Sequence, residues 1–177
     1  MKLAPGFLNA RITLGTIYQK MDRYRDAERE YTQARRLHPR SSQALENLGS
    51  LYIQEADAAL KREADAVGEI LDHALDVLEE AVKISPRSAN AHYLLGTANY
   101  KSTFYEEADQ SLQRAIELDA QMGSARLMLA NLYMRQKKWE KALQNLDAYL
   151  AGNPKASDRS QIQETRAKVE EQLTRPR

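Results

Sequence analysis

Apolar residues return along this chain at spacings of three and four, with polar residues between them. Ala27, Tyr31, Ala34 and Leu37 form one such set. Ala74, Leu78 and Ala81, then Ala108, Leu112 and Ala115, then Ala142, Leu146 and Tyr149 form three more. Each set falls on one side of a helix. Ahead of each runs a second apolar stretch, built on Leu14-Gly15-x-x-Tyr18, Leu48-Gly49-x-x-Tyr52, Leu95-Gly96 and Leu129-Ala130-x-x-Tyr133. No alternation of apolar and polar residues is long enough for a strand, so the predicted fold class is all-α.

The glycines and prolines give the spacing of the units. Pro5 to Pro39 and Gly15 to Gly49 are each 34 residues, and Gly96 to Ala130 is 34 again. Pro39 to Pro86 and Gly49 to Gly96 are each 47, an excess of 13 that marks one insertion in the second copy. A fixed period of this size means one helical unit copied and stacked, because a single copy cannot bury its own apolar face. The order leucine-glycine, tyrosine, alanine, large apolar residue, proline resembles the tetratricopeptide repeat family. The resemblance implies a right-handed α-solenoid of antiparallel helix pairs. Copies are expected at 8–41, 42–88 (with a helical insertion at about 55–67), 89–122 and 123–156, with a C-terminal capping helix and tail at 157–177.

Physical chemistry sets further expectations. A mid-helix glycine costs about 1 kcal/mol against alanine, so Gly15, Gly49 and Gly96 need a compensating close approach, with Ala27, Ala74 and Ala108 as the facing small residues. In the insertion, Ala56 and Ala59 continue the face of Leu48 and Tyr52, while Leu60, Ala64, Val67 and Leu71 lead into Ala74. Both helices of the second copy are therefore expected to be lengthened, with Gly68 a weak point in the second. The projecting hairpin is a partner-specific feature, a contact to a missing upstream domain, or a tolerated elongation.

At the start, Leu3-Ala4-Pro5 sits one period before Leu37-His38-Pro39 and reads as the end of a truncated preceding repeat, residues 1–7. The expectation is a fragment of a longer protein whose uncovered face, including Phe7, Leu8 and Ile12, supports a homodimer through this N-terminal end. At the other end, Ser157 or Asp158 caps a helix whose Ile162, Val169 and Leu173 form a single apolar stripe, and Pro176 ends it.

In the family, the first helix of each unit lines a concave groove that receives extended peptides or partner helices. By register, Asn9, Ile12, Thr13, Thr16, Gln19 and Lys20 line it in the first copy, and Gln43, Glu46, Asn47, Ser50, Ile53 and Gln54 in the second. The later half is more apolar: Asn90, Tyr93, Leu94, Thr97, Tyr100 and Lys101, then Ser124, Leu127, Met128, Asn131, Met134 and Arg135. Asn47, Tyr93, Leu94, Tyr100, Leu127, Met128, Asn131, Met134 and Arg135 are the candidate peptide-groove residues, since tyrosine anchors and methionine adapts. Asn47 also matches one position of the family members that hold a chaperone tail's carboxylate. The basic partners of that clamp are missing, with Ile12 and Thr16 in the first copy and Asn90 and Leu94 in the third.

Charge and composition narrow the function classes. The net charge of +1 conceals +5 over residues 1–41, −6 over 42–88, −3 over 89–122, +4 over 123–156 and +1 in the tail. Basic ends around an acidic middle do not track a nucleic-acid backbone. No apolar run approaches the 18 or so residues of a membrane span. There is no cysteine, which leaves cytoplasm and periplasm both open as compartments. His38, His73 and His92 lie in separate settings without metal-ligand spacing, and no phosphate loop or nucleophile motif is present. The acidic run Glu63, Asp65, Glu69, Asp72, Asp76, Glu79 and Glu80 reads as a solvated helix face, and Trp139 as a packing residue at a turn. No catalytic residue, cofactor or metal is expected. The reading is a non-catalytic scaffold for a protein or peptide partner, with a regulatory or oligomerisation segment of a larger assembly as the alternative.

Overall fold

The computed structural model describes residues 6–62 and 64–174. These form nine α-helices, one 3₁₀ turn and no strand. The helices are α1 (Gly6–Lys20), α2 (Tyr24–Leu37), α3 (Ser42–Ala59), α4 (Val67–Ile84), α5 (Ala89–Lys101), α6 (Tyr105–Leu118), α7 (Gly123–Arg135), α8 (Trp139–Gly152) and α9 (Arg159–Thr174), with the 3₁₀ turn at Ala64–Ala66. Leu3-Ala4-Pro5, Glu63 and Pro176 lie outside the described residues, as do the readings attached to them.

Successive helices pair as α1 with α2, α3 with α4, α5 with α6 and α7 with α8, and each second helix also packs on the first helix of the next pair. This gives an all-α solenoid. The turn inside three of the pairs carries a residue in the left-handed region: Asp22 at φ 56°, Thr103 at 65° and Lys137 at 56°. None is glycine, although a side chain there is strained.

The close approach at the glycines is present, but its partner differs from the expectation. A Cβ on Gly15 would stand 2.5 Å from the Tyr31 ring, one on Gly49 2.4 Å from Leu78, and one on Gly96 2.6 Å from Leu112. The facing residue is the large one, four positions beyond the alanine. The glycine is a socket for that side chain, and Tyr31, Leu78 and Leu112 are each fully buried in it. Ala27, Ala74 and Ala108 are buried as well, one helical turn away.

Helix ends follow local chemistry. α2, α4 and α8 stop two residues before Pro39, Pro86 and Pro154, where proline cannot continue a helix. Ala120 stands at that place after α6, and there the Asp119 carboxylate accepts from the Gln121 backbone N–H at 3.0 Å instead.

The insertion lengthens both helices of the second pair, α3 and α4 having 18 residues each. Ala56 and Leu71 are buried on the continued faces. Leu60 departs from the expectation: it sits in the connecting turn and is 64% exposed. Gly68 falls in the first turn of α4, where it interrupts little.

At the far end α9 lies against α8 with Val169 buried. The contact is tied by Tyr149, whose hydroxyl donates to Asp158 at 2.7 Å, and by Arg166, whose guanidinium pairs with Asp147 at 2.6 Å.

Candidate functional site

The first helices lie side by side, α3 touching α1 and α5, and α5 touching α7. The second helices reach the next unit through its first helix. The stack therefore curves with the first helices on its inner face.

On that face the residues of α7 at 127, 128, 131, 134 and 135 share one side of the helix. Asn131 and Arg135 are exposed, and Leu127, Met128 and Met134 are half-buried. Tyr93, Leu94 and Tyr100 of α5 are half-buried as well. Tyr93, Tyr100, Leu127, Met128 and Met134 all rest against the core formed by α6, α7 and α8. Leu94 packs one unit earlier, against Ile53, Ala74, Leu78 and Ala98. Asn47 stands apart on α3, its amide donating to the Gln43 carbonyl oxygen of its own helix at 2.7 Å. The structure thus gathers most of the predicted groove residues on α5 and α7 and leaves Asn47 outside.

Three positions read from sequence as groove-lining turn inward. Ile12, Ile53 and Thr97 are 8%, 8% and 6% exposed. The Thr97 hydroxyl is satisfied by donating to the Tyr93 carbonyl oxygen at 2.9 Å. These residues sit at the edge of the helix stripe, where the neighbouring unit covers them.

The polar groups of the groove are not equally free. In the first three units several of them are engaged by neighbouring side chains. Gln19 donates to Gln54 at 3.0 Å and accepts from the Tyr31 hydroxyl at 2.9 Å. Glu46 accepts from Ser88 at 3.0 Å and from Asn90 at 2.8 Å, and Lys101 pairs with Asp57. Among the described residues Arg135 has no ion pair. Its guanidinium lies 5.5 Å from the centre of the Tyr105 ring, and Tyr105 stacks at a tilt on Tyr100, 6.0 Å away. Tyr105, then Tyr100, hold the Arg135 pKa above its ordinary value. Stacking on the half-buried Tyr105 ring holds the cation in place.

Sequence reasoning missed a second device, which locks the units together. The Tyr52 hydroxyl donates to Glu28 and the Tyr133 hydroxyl to Asp109, each at 2.6 Å and each across a unit boundary. Burial and the adjacent carboxylate raise both phenol pKa values, that of Tyr133 to about 12. The signal was present, since each carboxylate directly follows the alanine that recurs in every copy, Ala27 or Ala108. At the middle boundary the corresponding residues are Asn99 and Leu75, and the tie is absent.

The remaining candidates offer no chemistry beyond packing. The His92 ring nitrogen is 3.1 Å from the Pro86 carbonyl oxygen. Trp139 is half-buried against the core of α6, α7 and α8, nearer the rim than expected. Asp65, Glu69, Asp72, Asp76 and Glu79 are exposed, and Glu80 pairs with Arg35 at 2.5 Å. No group of three acidic, His or Cys side chains among the described residues could hold a metal ion. No helix among them is long and apolar enough to cross a membrane.

Comparison with known proteins places these features in a family. A profile described as the second ARM domain of tetratricopeptide repeat protein 21 matches residues 49–137, and a tetratricopeptide repeat profile matches residues 12–76. Tetratricopeptide repeat protein 21B of Xenopus laevis is 27% identical over 123 residues, which cover 70% of this chain but only 9% of that protein. The chain therefore spans a small part of this curated relative. Among solved structures, a tetratricopeptide repeat protein from Parabacteroides merdae superposes with a TM-score of 0.70 at 20% identity, covering 94% of this chain and 59% of the other. MamA superposes with a TM-score of 0.68 at 19% identity, over 96% and 90% of the two chains. The TPR2B domain of yeast Sti1, solved as a complex with pHsp70, gives 0.56 at 20% identity over 71% of this chain and 98% of that domain.

Proposed function

The chain belongs to the tetratricopeptide repeat family, and we propose that it is a binding scaffold whose inner face over α5 and α7 receives an extended peptide or a partner helix. The observation that carries this reading is the composition of that face. Tyr93, Tyr100, Leu127, Met128 and Met134 are half-buried on one core, beside the exposed Asn131 and Arg135. Half-buried tyrosine, leucine and methionine are already ordered from below, so a ligand gains apolar contact at small entropic cost. Asn131 can pair with a peptide backbone, and Arg135 with an acidic group. The Sti1 domain complex is in keeping with a peptide ligand on this fold. The scaffold is proposed as non-catalytic.

A photo-crosslinking amino acid at Asn131, on the inner face, and another at Gln144, exposed on α8, test the placement. Peptides selected for binding from a random display library should crosslink from position 131 and not from 144. Crosslinking from 144 alone would move the site to the outer face.

A further inference from the structure

Seven large apolar side chains are exposed among the described residues, and four of them lie at this end, Phe7, Leu14 and Ile17 on α1 and Met21 in the turn directly after it. Their spacing of seven, three and four places them in one stripe along the helix. At two of these positions the equivalents in the second and fourth units are buried. Leu48 and Leu129, which correspond to Leu14, are each 2% exposed, and Leu51 and Leu132, which correspond to Ile17, are fully buried. There the second helix of the preceding unit, α2 or α6, packs on the first helix. The stripe differs from the sequence expectation, which named Leu8 and Ile12 with Phe7: Leu8 is half-buried and Ile12 buried.

Tyr18 supplies an independent observation. It holds the register position of Tyr52 and Tyr133, whose hydroxyls donate to Glu28 and Asp109 of the preceding unit. The Arg23 guanidinium lies 4.4 Å from the Tyr18 ring, but among the described residues the Tyr18 hydroxyl has no hydrogen-bond partner. A carboxylate is missing where two equivalent tyrosines have one.

A second copy of the chain fits this face poorly. α1 contains no acidic residue, so pairing two α1 helices about a two-fold axis would leave both Tyr18 hydroxyls without a carboxylate acceptor. It would also bring together two units of charge +5. The opposite end of the stack offers α9, where Leu173 is the one exposed large apolar side chain beside the exposed Gln161, Gln163, Glu164, Lys168 and Glu171, a face that does not complement an apolar stripe.

We infer that the outer face of α1 is a docking site for a further helix of the same kind as α2 and α6. That helix carries small and large apolar residues at three–four spacing, and, directly after its first small residue, a carboxylate that accepts from the Tyr18 hydroxyl.

The test presents such a helix at high local concentration. Residues 89–122 are duplicated directly ahead of residue 8, which keeps the 34-residue phase and sets the duplicate's Asp109 against Tyr18. The extended chain should bind several-fold less of a dye that reports exposed apolar surface, and should melt about 5 °C or more higher. Any stacked repeat adds stability, so the discriminating readout is the coupling. Tyr18→Phe, or Asp109→Ala in the duplicate alone, should each remove about 2–4 °C of the gain, and the two together no more than either. In the unextended chain Tyr18→Phe should leave the melting temperature unchanged. A gain indifferent to Tyr18→Phe would overturn the assignment. So would an unextended chain that light scattering shows as a dimer dissociated by Ile17→Asp, because that would give the face to a second copy.

Discussion

Tyr133 of α7 donates its hydroxyl proton to Asp109 of α6, 2.6 Å away across the boundary between two units. Repeat stacks are held by neighbour-to-neighbour contacts alone, so a charge-assisted bond at a boundary adds directly to cohesion. Asp109 also accepts from Gln113 at 2.8 Å and keeps a partner when the phenol is removed. Tyr133→Phe should therefore cost about 1–2 kcal/mol, read by denaturant unfolding, with helix content unchanged. A loss near zero would mean that the bond contributes nothing beyond the buried ring.

The same pair predicts an alkaline dependence. Burial first, then the bond to Asp109, pushes the Tyr133 pKa up to about 12, against about 10 in an unfolded chain. The folded state thus holds this proton more tightly, and the associated stability is complete below pH 10 and lost as pH rises through 12. The difference in unfolding free energy between the natural chain and Tyr133→Phe should be constant from pH 7 to 10 and shrink above it. A difference that shrinks on acidification instead would contradict the assignment.

Two glycine substitutions should act in opposite directions. A Cβ on Gly96 would meet Leu112 Cγ at 2.6 Å and the Leu112 backbone nitrogen at 3.2 Å, and the backbone cannot step aside. Gly96→Ala should destabilise by about 1–2 kcal/mol net, overpacking outweighing the gain in helix propensity. Gly68 has nothing within 4 Å of such a Cβ, and Gly68→Ala should stabilise by up to about 1 kcal/mol. Thermal melts of the two variants check both signs.

Thr103 is β-branched and held at φ 65° in an exposed turn. Asparagine tolerates that region better, so Thr103→Asn should raise stability by about 0.5–1 kcal/mol. A lower melting temperature would show that the threonine side chain makes up for its strain.

The helix pairs, their period and the lengthened second pair were readable in the sequence, because glycine, alanine and proline mark positions where only small or helix-ending residues fit. The sockets were only half readable. Spacing shows that Gly49 needs a close approach, but whether Ala74 or Leu78 makes it depends on the relative rotation of two helices. The same rotation hides Ile53 and Thr97, which one-helix periodicity places in the groove. Leu60 continues a helical pattern, yet the chain has to reverse direction within the insertion, and the reversal falls there. The Tyr52 and Tyr133 ties join residues 24 positions apart. They show in sequence only when the residue after each alanine is compared between copies.

The inner face over α5 and α7 as the peptide site is tested most directly by affinity at its exposed residues. Tyr100 is unsuitable by itself, since it also stacks on Tyr105 and its loss would lower stability. Asn131 and Arg135 are exposed, and their removal should leave the fold intact. A peptide selected from a random display library is titrated by fluorescence anisotropy into the natural chain and into Asn131→Ala/Arg135→Ala, with melting temperatures measured alongside. The account predicts a tenfold or greater loss of affinity, about 1.4 kcal/mol or more, at an unchanged melting temperature. Equal affinity for both chains would contradict it.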